Sequence, residues 1–234
     1  MHFNSEASFK WLYSQQISKV KDLARIVQAS HLWDEENEYR EKLIGLRNDG
    51  SWNCDLRDTS RAASVLALTG IIFPEVKEWL LSKKTGSSWN DDVYDSTYAL
   101  MALADMGHHD PEGCRWLIDN YGPKWEHPGT TALIITALIK QSGCREENEN
   151  GYAGFIDERA KWIISQKEHD AAWKTLATSN LVIQSLILAG SKNVTEDSFN
   201  WILSNMNDNG SWGKDGGDIN TTSLSLITIH EYMK

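Results

Sequence analysis

Asp91-Asp92-Val-Tyr-Asp95 places three carboxylates within five residues, directly after Trp89. Two segments echo it: Asp55-Leu-Arg-Asp58 after Trp52, and Asp215-Gly-Gly-Asp218 after Trp212. Crowded carboxylates raise one another's affinity for protons, so one of a set can stay protonated and act as a Brønsted acid. Carboxylate pairs can instead hold Mg2+ and, through it, a diphosphate. A structural use competes with both. Asp58, Asp95 and Asp218 each precede a hydroxyl residue at an expected helix start. There an Asp caps free N–H groups and favours the helix dipole. One cap accounts for one Asp, so Asp91, Asp92 and Asp95 are the candidate catalytic set. Asp55, Asp58, Asp215 and Asp218 are candidate substrate-binding groups.

Arg61 and Tyr98 fall on the first turn of expected helices and can face a cavity between them. Arg61 can bind an anion, or pair with Asp58 three residues earlier. Tyr98 can offer its π face to a carbocation, or simply pack. Zinc is not expected. It needs about four converging ligands. Cys54, Cys114 and Cys144 show no clustering with His31, His108, His109, His127, His169 or His230.

The elements that must position these groups are written in the tryptophans. Trp52, Trp89, Trp125, Trp173 and Trp212 fall 37, 36, 48 and 39 residues apart. Trp79, Trp116, Trp162 and Trp201 precede the last four by nine to eleven residues. Such a period means one helical unit copied along the chain. Six units align. Each opens on a pair such as Trp11-Leu12, Leu43-Ile44 or Trp201-Ile202. A turn ending in a small residue plus Trp follows, as in Gly50-Ser51-Trp52, Ser87-Ser88-Trp89 or Gly210-Ser211-Trp212, with Lys124-Trp125 a looser version. Then comes a hydroxyl pair: Thr59-Ser60, Ser96-Thr97, Thr130-Thr131, Thr178-Ser179, Thr221-Thr222. These pairs open apolar runs and read as helix N-caps. Each unit is therefore helix, turn, helix, the second apolar around most of its circumference as an enclosed helix should be. The first unit lacks the Gly-Ser-Trp turn. Gln141–Tyr152 reads as a polar surface insertion, and Asp34–Glu41 as a solvated segment. The last helix, Thr221–Lys234, still carries Leu224, Leu226, Ile227 and Ile229, which fits a last unit packed on the first. Corresponding turns emerge on one face, so the seven carboxylates should share one rim.

Trp-Leu, then Ser-Gln-Gln, then Asn-Asp-Gly-Ser-Trp, then Asp-Thr-Ser opening an Ala/Leu helix resembles the repeat of the squalene/terpene cyclase and protein prenyltransferase β-subunit superfamily. Trp201–Trp212 and Trp162–Trp173 are the best examples, and the resemblance covers almost the whole chain. It implies an all-α fold, an (α/α)6 toroid with inner helices around a central cavity and an outer ring, over residues 1–234 as one domain. Tetratricopeptide and HEAT arrays share the period but lack this turn. The family includes acid-initiated cyclases of linear isoprenoids, zinc prenyltransferases and toroids that only bind. The cyclases' Asp-x-Asp-Asp is absent, and no cysteine stands in the prenyltransferases' Asp-x-Cys. Asp91-Asp92-x-x-Asp95 has the spacing that ionisation-type terpene synthases use for Mg2+, in a different helical fold.

Composition narrows the classes. A formal charge of −10 without a basic stripe argues against nucleic acid. No stretch approaches the roughly 20 apolar residues of a membrane span. Three dispersed cysteines fit a reducing, cytoplasmic setting, and the N-terminus has no signal-peptide pattern. The leading expectation is a terpene cyclase-like or prenyltransferase-like toroid acting on a hydrophobic isoprenoid-type substrate, acid- or Mg2+-assisted at the Asp-rich rim. The alternative is a non-catalytic toroid that binds a small hydrophobic ligand, peptide or protein. A carbohydrate-active barrel would need two carboxylates facing across a cleft.

Overall fold

The computed structural model describes residues 3–35, 38–142, 151–168 and 171–234. Among them the repeat resolves into twelve α-helices. The outer helices are α1 (Glu6–Tyr13), α3 (Tyr39–Gly45), α5 (Pro74–Ser82), α7 (Pro111–Asp119), α9 (Ala153–Ser165) and α11 (Glu196–Ser204). The inner helices are α2 (Val20–Leu32), α4 (Leu56–Leu68), α6 (Val93–Asp105), α8 (Pro128–Ser142), α10 (Leu176–Leu188) and α12 (Ile219–Met233). A 3₁₀ turn, Lys192–Thr195, precedes α11, and two-residue strands β1 (Arg47–Asn48) and β2 (Ser51–Trp52) form the first Gly-Ser-Trp turn.

Four of the turn tryptophans are staples. The buried indoles of Trp52, Trp89, Trp173 and Trp212 donate from Nε1 to the carbonyls of Leu43, Leu80, Ile163 and Ile202 at 2.7–2.8 Å, tying each turn to its outer helix. The backbone N–H of the same tryptophans donates to Thr59, Ser96, Ser179 and Thr222 hydroxyls at 2.9–3.1 Å, tying it to the inner helix. This corrects the role expected of the hydroxyl pairs. They are not N-caps but sit one turn inside the helix, and the caps are Asp55, Asp92, Thr175 and Asp218.

Consecutive inner helices pack side by side, and α12 packs against α2, so the ring is closed. The closure has its own bonds. Trp33 Nε1 donates to the Leu226 carbonyl at 3.0 Å, and Ser8 Oγ donates to the Gly210 carbonyl at 2.6 Å. Phe3 sits 5.9 Å from Trp33 and 6.1 Å from Trp212, ring centre to ring centre. The inner helices run parallel. Tyr94 on the first turn of α6 meets Thr130 on the first turn of α8 at 2.9 Å, while Lys140 near the end of α8 meets Asp105 at the end of α6 at 2.7 Å. All six N-termini therefore share one rim and all six C-termini the other.

The expected insertion is shorter at both ends. Gln141 and Ser142 belong to α8, and Gln141 is buried, bonding the Leu100 carbonyl and the Asp110 N–H at 2.7 Å each. Tyr152 is buried as well. Residues 143–150, Cys144 among them, lie outside the described residues, as do His169 and positions 36–37 of the expected solvated segment. The rest of that segment is partly structural, since Tyr39 is buried and opens α3.

Candidate functional site

The rim formed by the inner-helix N-termini gathers the carboxylates of α4, α6 and α12. Asp55 caps α4, accepting from the Asp58 N–H at 2.8 Å. Asp92 caps α6, accepting from the Tyr94 and Asp95 N–H groups at 2.9 Å each. Asp218 caps α12, accepting from the Thr221 N–H and hydroxyl at 2.7 Å each. Of the three expected caps, only Asp218 holds. In the other two repeats the cap lies three residues earlier, because Asp58 and Asp95 already sit on the first turn. Asp58 accepts from Asn53 Nδ2 at 3.0 Å. Asp91, in the left-handed region at φ 48°, accepts from Ser88 Oγ at 2.9 Å. Asp215 is exposed at φ 53°.

Asp95 is 9% exposed and accepts from Asn90 Nδ2 at 2.9 Å and from Arg57 Nε. Arg57 Nη2 also reaches Asp92 at 2.9 Å. Desolvation pulls the guanidinium down, but hydrogen bonding and attraction from Asp95 and Asp92 carry it above its ordinary value. The residues therefore do not fit Mg2+. Arg57 takes the place between Asp92 and Asp95 that a cation would need. Among the described residues no group of three or more His, Cys, Asp or Glu side chains is arranged to hold a metal ion. Sequence reasoning missed Arg57, though it fills in Asp55-Leu-Arg-Asp58 the slot that Tyr94 fills in Asp92-Val-Tyr-Asp95.

One carboxylate at this rim does have a raised proton affinity, and it is Asp22 on α2. Burial is the main cause, opposed by Lys21 and Lys19 and reinforced by Asp218 and Asp58. It escaped notice because the first repeat lacks the turn that marks the others.

Along the ring axis lies a cavity of 370 Å³ lined by all six inner helices. Its wall is mostly apolar, with Leu32, Val65, Met101, Leu133, Leu181 and Ile227 prominent. It runs to the helix C-termini, where Leu68 and Leu188 are 45% and 48% exposed. The opposite end stops at Arg25, Ser60, Arg61 and Tyr98. Of the sequence-selected residues only Arg61 and Tyr98 line it. The seven carboxylates do not. Asp58 and Asp95 precede Arg61 and Tyr98 by three residues, about one helical turn of ~5.4 Å.

Arg61 pairs with Asp58 at 3.6 Å, as one reading of it expected, and also reaches the cavity. It also stacks over the Tyr98 ring at 4.2 Å, so one π face expected for a carbocation holds a guanidinium. Burial pushes the Tyr98 phenol up, but Arg25 and Arg61 outweigh it and bring the group below its ordinary value. Arg25, Gln28, Lys140, Glu231 and Lys234 also line the cavity and were not singled out from sequence. For Arg25 and Lys140 the signal was available as cations on the core-facing side of inner helices. Cys54 is exposed and Cys114 buried, its thiol pushed up to about 12 mainly by desolvation, which makes it inert.

No protein-family model and no curated protein matches the sequence. Among solved structures, ent-copalyl diphosphate synthase from Streptomyces platensis is similar, with a TM-score of 0.70 and 16% identity over 92% of this chain and 50% of that one. The likeness supports the terpene cyclase-like helical fold, and this chain spans half the length of that enzyme. No described helix is long and apolar enough to cross a membrane.

Proposed function

We propose that this toroid encloses a hydrophobic, isoprenoid-type molecule in its central cavity and holds it there without the rim carboxylates taking part. The observation that carries the reading is the apolar cavity on the ring axis, separate from the acids of the rim. Its volume falls in the range of small-molecule sites, about 300–1,000 Å³. At ~30 Å³ for a group the size of a water or CH2, it takes about a dozen such groups. The likeness to a terpene cyclase supports an isoprenoid chain as the class of occupant. Asp55, Asp58, Asp92 and Asp218 then serve as caps and partners, while Arg61 and Tyr98 contact the ligand.

A second reading keeps acid-initiated cyclisation, with Asp91, Asp92 and Asp95 as the catalytic set. It draws on the burial of Asp95 one turn from Tyr98 in the cavity wall. Mass spectrometry of protein incubated with linear C10 to C20 isoprenoids separates the two readings. The expected result is unconverted ligand retained equally by the parent and by Asp95→Asn. A cyclised product that disappears in Asp95→Asn overturns the binding reading in favour of the catalytic one. Neither retention nor product removes the isoprenoid class altogether.

A further inference from the structure

The closed end of the cavity carries more positive charge than the fold balances. Arg25, on α2, bonds Gln28 Oε1 at 3.3 Å and has no ion-pair partner among the described residues. Its neighbour across the floor is another arginine, Arg61. Desolvation pulls Arg25 below its ordinary value and repulsion from Arg61 adds to that, opposed by attraction and a hydrogen bond from the Tyr98 phenol, which do not restore it. Arg61 has a single carboxylate at 3.6 Å. The Nε atoms of both arginines and the hydroxyl of Ser60 are buried without a hydrogen-bond partner. A buried donor left unmade carries the cost of its desolvation, more when charged, so a native fold retains it where something else completes it. The chain as a whole carries −10, and these cations are concentrated inside it.

Guanidinium groups present planar forks that match carboxylate and phosphate oxygens, and Tyr98 adds a hydroxyl beside them. The opposite end is apolar and open. Seven residues separate Arg61 from Leu68 on α4, about 10 Å at ~1.5 Å per residue. A ligand that satisfies both ends is an amphiphile with an oxyanion head and a hydrocarbon tail of roughly ten carbons.

We infer that Arg25, Arg61, Tyr98 and Ser60 form the receptor for the oxyanion head, carboxylate or phosphate, of an amphiphile that enters the ring head first from the C-terminal rim. This rests on the reading that the cavity binds an isoprenoid-type molecule, and adds its polarity and direction. Arg25 is the anchor, since it is the guanidinium with no carboxylate beside it. Lys140, which also lines the cavity, is already paired with Asp105.

The test is calorimetric titration with geranyl phosphate, geranic acid and geraniol, which share a C10 tail and differ in the head. Both anions are expected to bind at least about tenfold tighter than the alcohol, the size of one charge-assisted hydrogen bond. The ratio between the two anions identifies the head. Arg25→Met should weaken both anions by about 10- to 100-fold and leave geraniol unchanged. The same variant should unfold at a higher temperature than the parent when ligand-free, because it removes a buried, unbalanced charge; a merely structural arginine would lower it. Arg25→Lys should keep part of the preference. Equal affinity for anions and alcohol, or an Arg25→Met variant that loses stability and keeps the preference, overturns the inference while leaving the hydrophobic pocket standing. No binding of any of the three overturns both.

Discussion

The two rims of this ring are built from opposite ends of the same six helices, and they differ in almost every physical respect. The N-terminal rim is acidic, with side-chain caps on α4, α6, α10 and α12. The C-terminal rim is apolar at Leu68 and Leu188 and carries Lys140 and Lys234 alongside Asp105 and Glu231. The helix dipole alone favours this division, since N-terminal ends attract carboxylates and C-terminal ends attract cations. Parallel packing of six inner helices adds the six weak preferences into two distinct faces. A cluster of acids at one end of such a ring is therefore what architecture calls for, before any chemistry is invoked. What architecture does not call for is a pair of arginines midway between the rims.

If the N-terminal rim is structural, its most sensitive point is where the last turn meets the first helix. Gly210 has φ +84°, and a Cβ there would stand 2.7 Å from the Ala7 carbonyl carbon and 2.9 Å from the Ser8 nitrogen. Both obstacles are backbone. Gly210→Ala should cost about 2–4 kcal/mol, combining overpacking of ~1–3 with a left-handed penalty of ~1–2. Chemical denaturation measures it. A loss below about 1 kcal/mol would mean that the closure between α12 and α1 is loose and the ring is held elsewhere.

A paired substitution sharpens the contrast between the rims. Asp95→Ala strands Arg57 and Asn90, and should cost about 1–2 kcal/mol, less than a fully buried pair because Arg57 is partly exposed. Ligand retention should survive it. Leu188→Ser at the other rim should change stability by no more than about 0.5 kcal/mol, since the side chain is half exposed, yet weaken retention by loss of apolar contact. Stability and binding measured on both variants would show the opposite pattern if the acids, not the cavity, held the ligand.

How much of this was legible depends on what kind of force wrote it. The toroid was readable because each Trp52-type turn repeats the same hydrogen bonds to the helices before and after it, and repetition leaves a period in the chain. The rim was readable for the same reason, since Asp55, Asp92 and Asp218 occupy equivalent places. Their task was harder to read. A cap and a first-turn partner lie three residues apart in both Asp55-Leu-Arg-Asp58 and Asp92-Val-Tyr-Asp95, and composition does not say which is which until the helix start is seen. The cavity floor was half legible. Arg61 and Tyr98 follow marked turns, whereas Arg25 sits in the one repeat without a turn tryptophan, and its partners come from helices 36 and 73 residues further along the chain. The Asp91-Asp92-x-x-Asp95 spacing pointed to Mg2+, but Asp92 and Asp95 converge on Arg57, which comes from the preceding repeat, while Asp91 accepts from Ser88.

The smallest expected effect lies at Asp22, where the two faces of the argument meet. Its folded-state proton affinity is raised above the ordinary carboxyl value of 3.8, chiefly by burial, with Asp218 and Asp58 adding to it against Lys21 and Lys19. The folded protein thus binds the Asp22 proton more tightly than the unfolded chain. As pH falls from neutral through the raised value toward 3.8, folding takes up a proton and this group's unfavourable contribution disappears. Asp22→Asn removes the charge at every pH. It should therefore stabilise the protein at pH 7 on the scale of partly exposed electrostatics, about 0.2–1 kcal/mol, and the gain should shrink as pH falls through the raised value and the parent takes up its proton. Urea midpoints of both proteins at pH 7 and pH 4 decide it. A variant destabilised at pH 7 would mean that Lys21 and Lys19 dominate at this rim, and that its carboxylates are held ionised by cations as well as by helix ends.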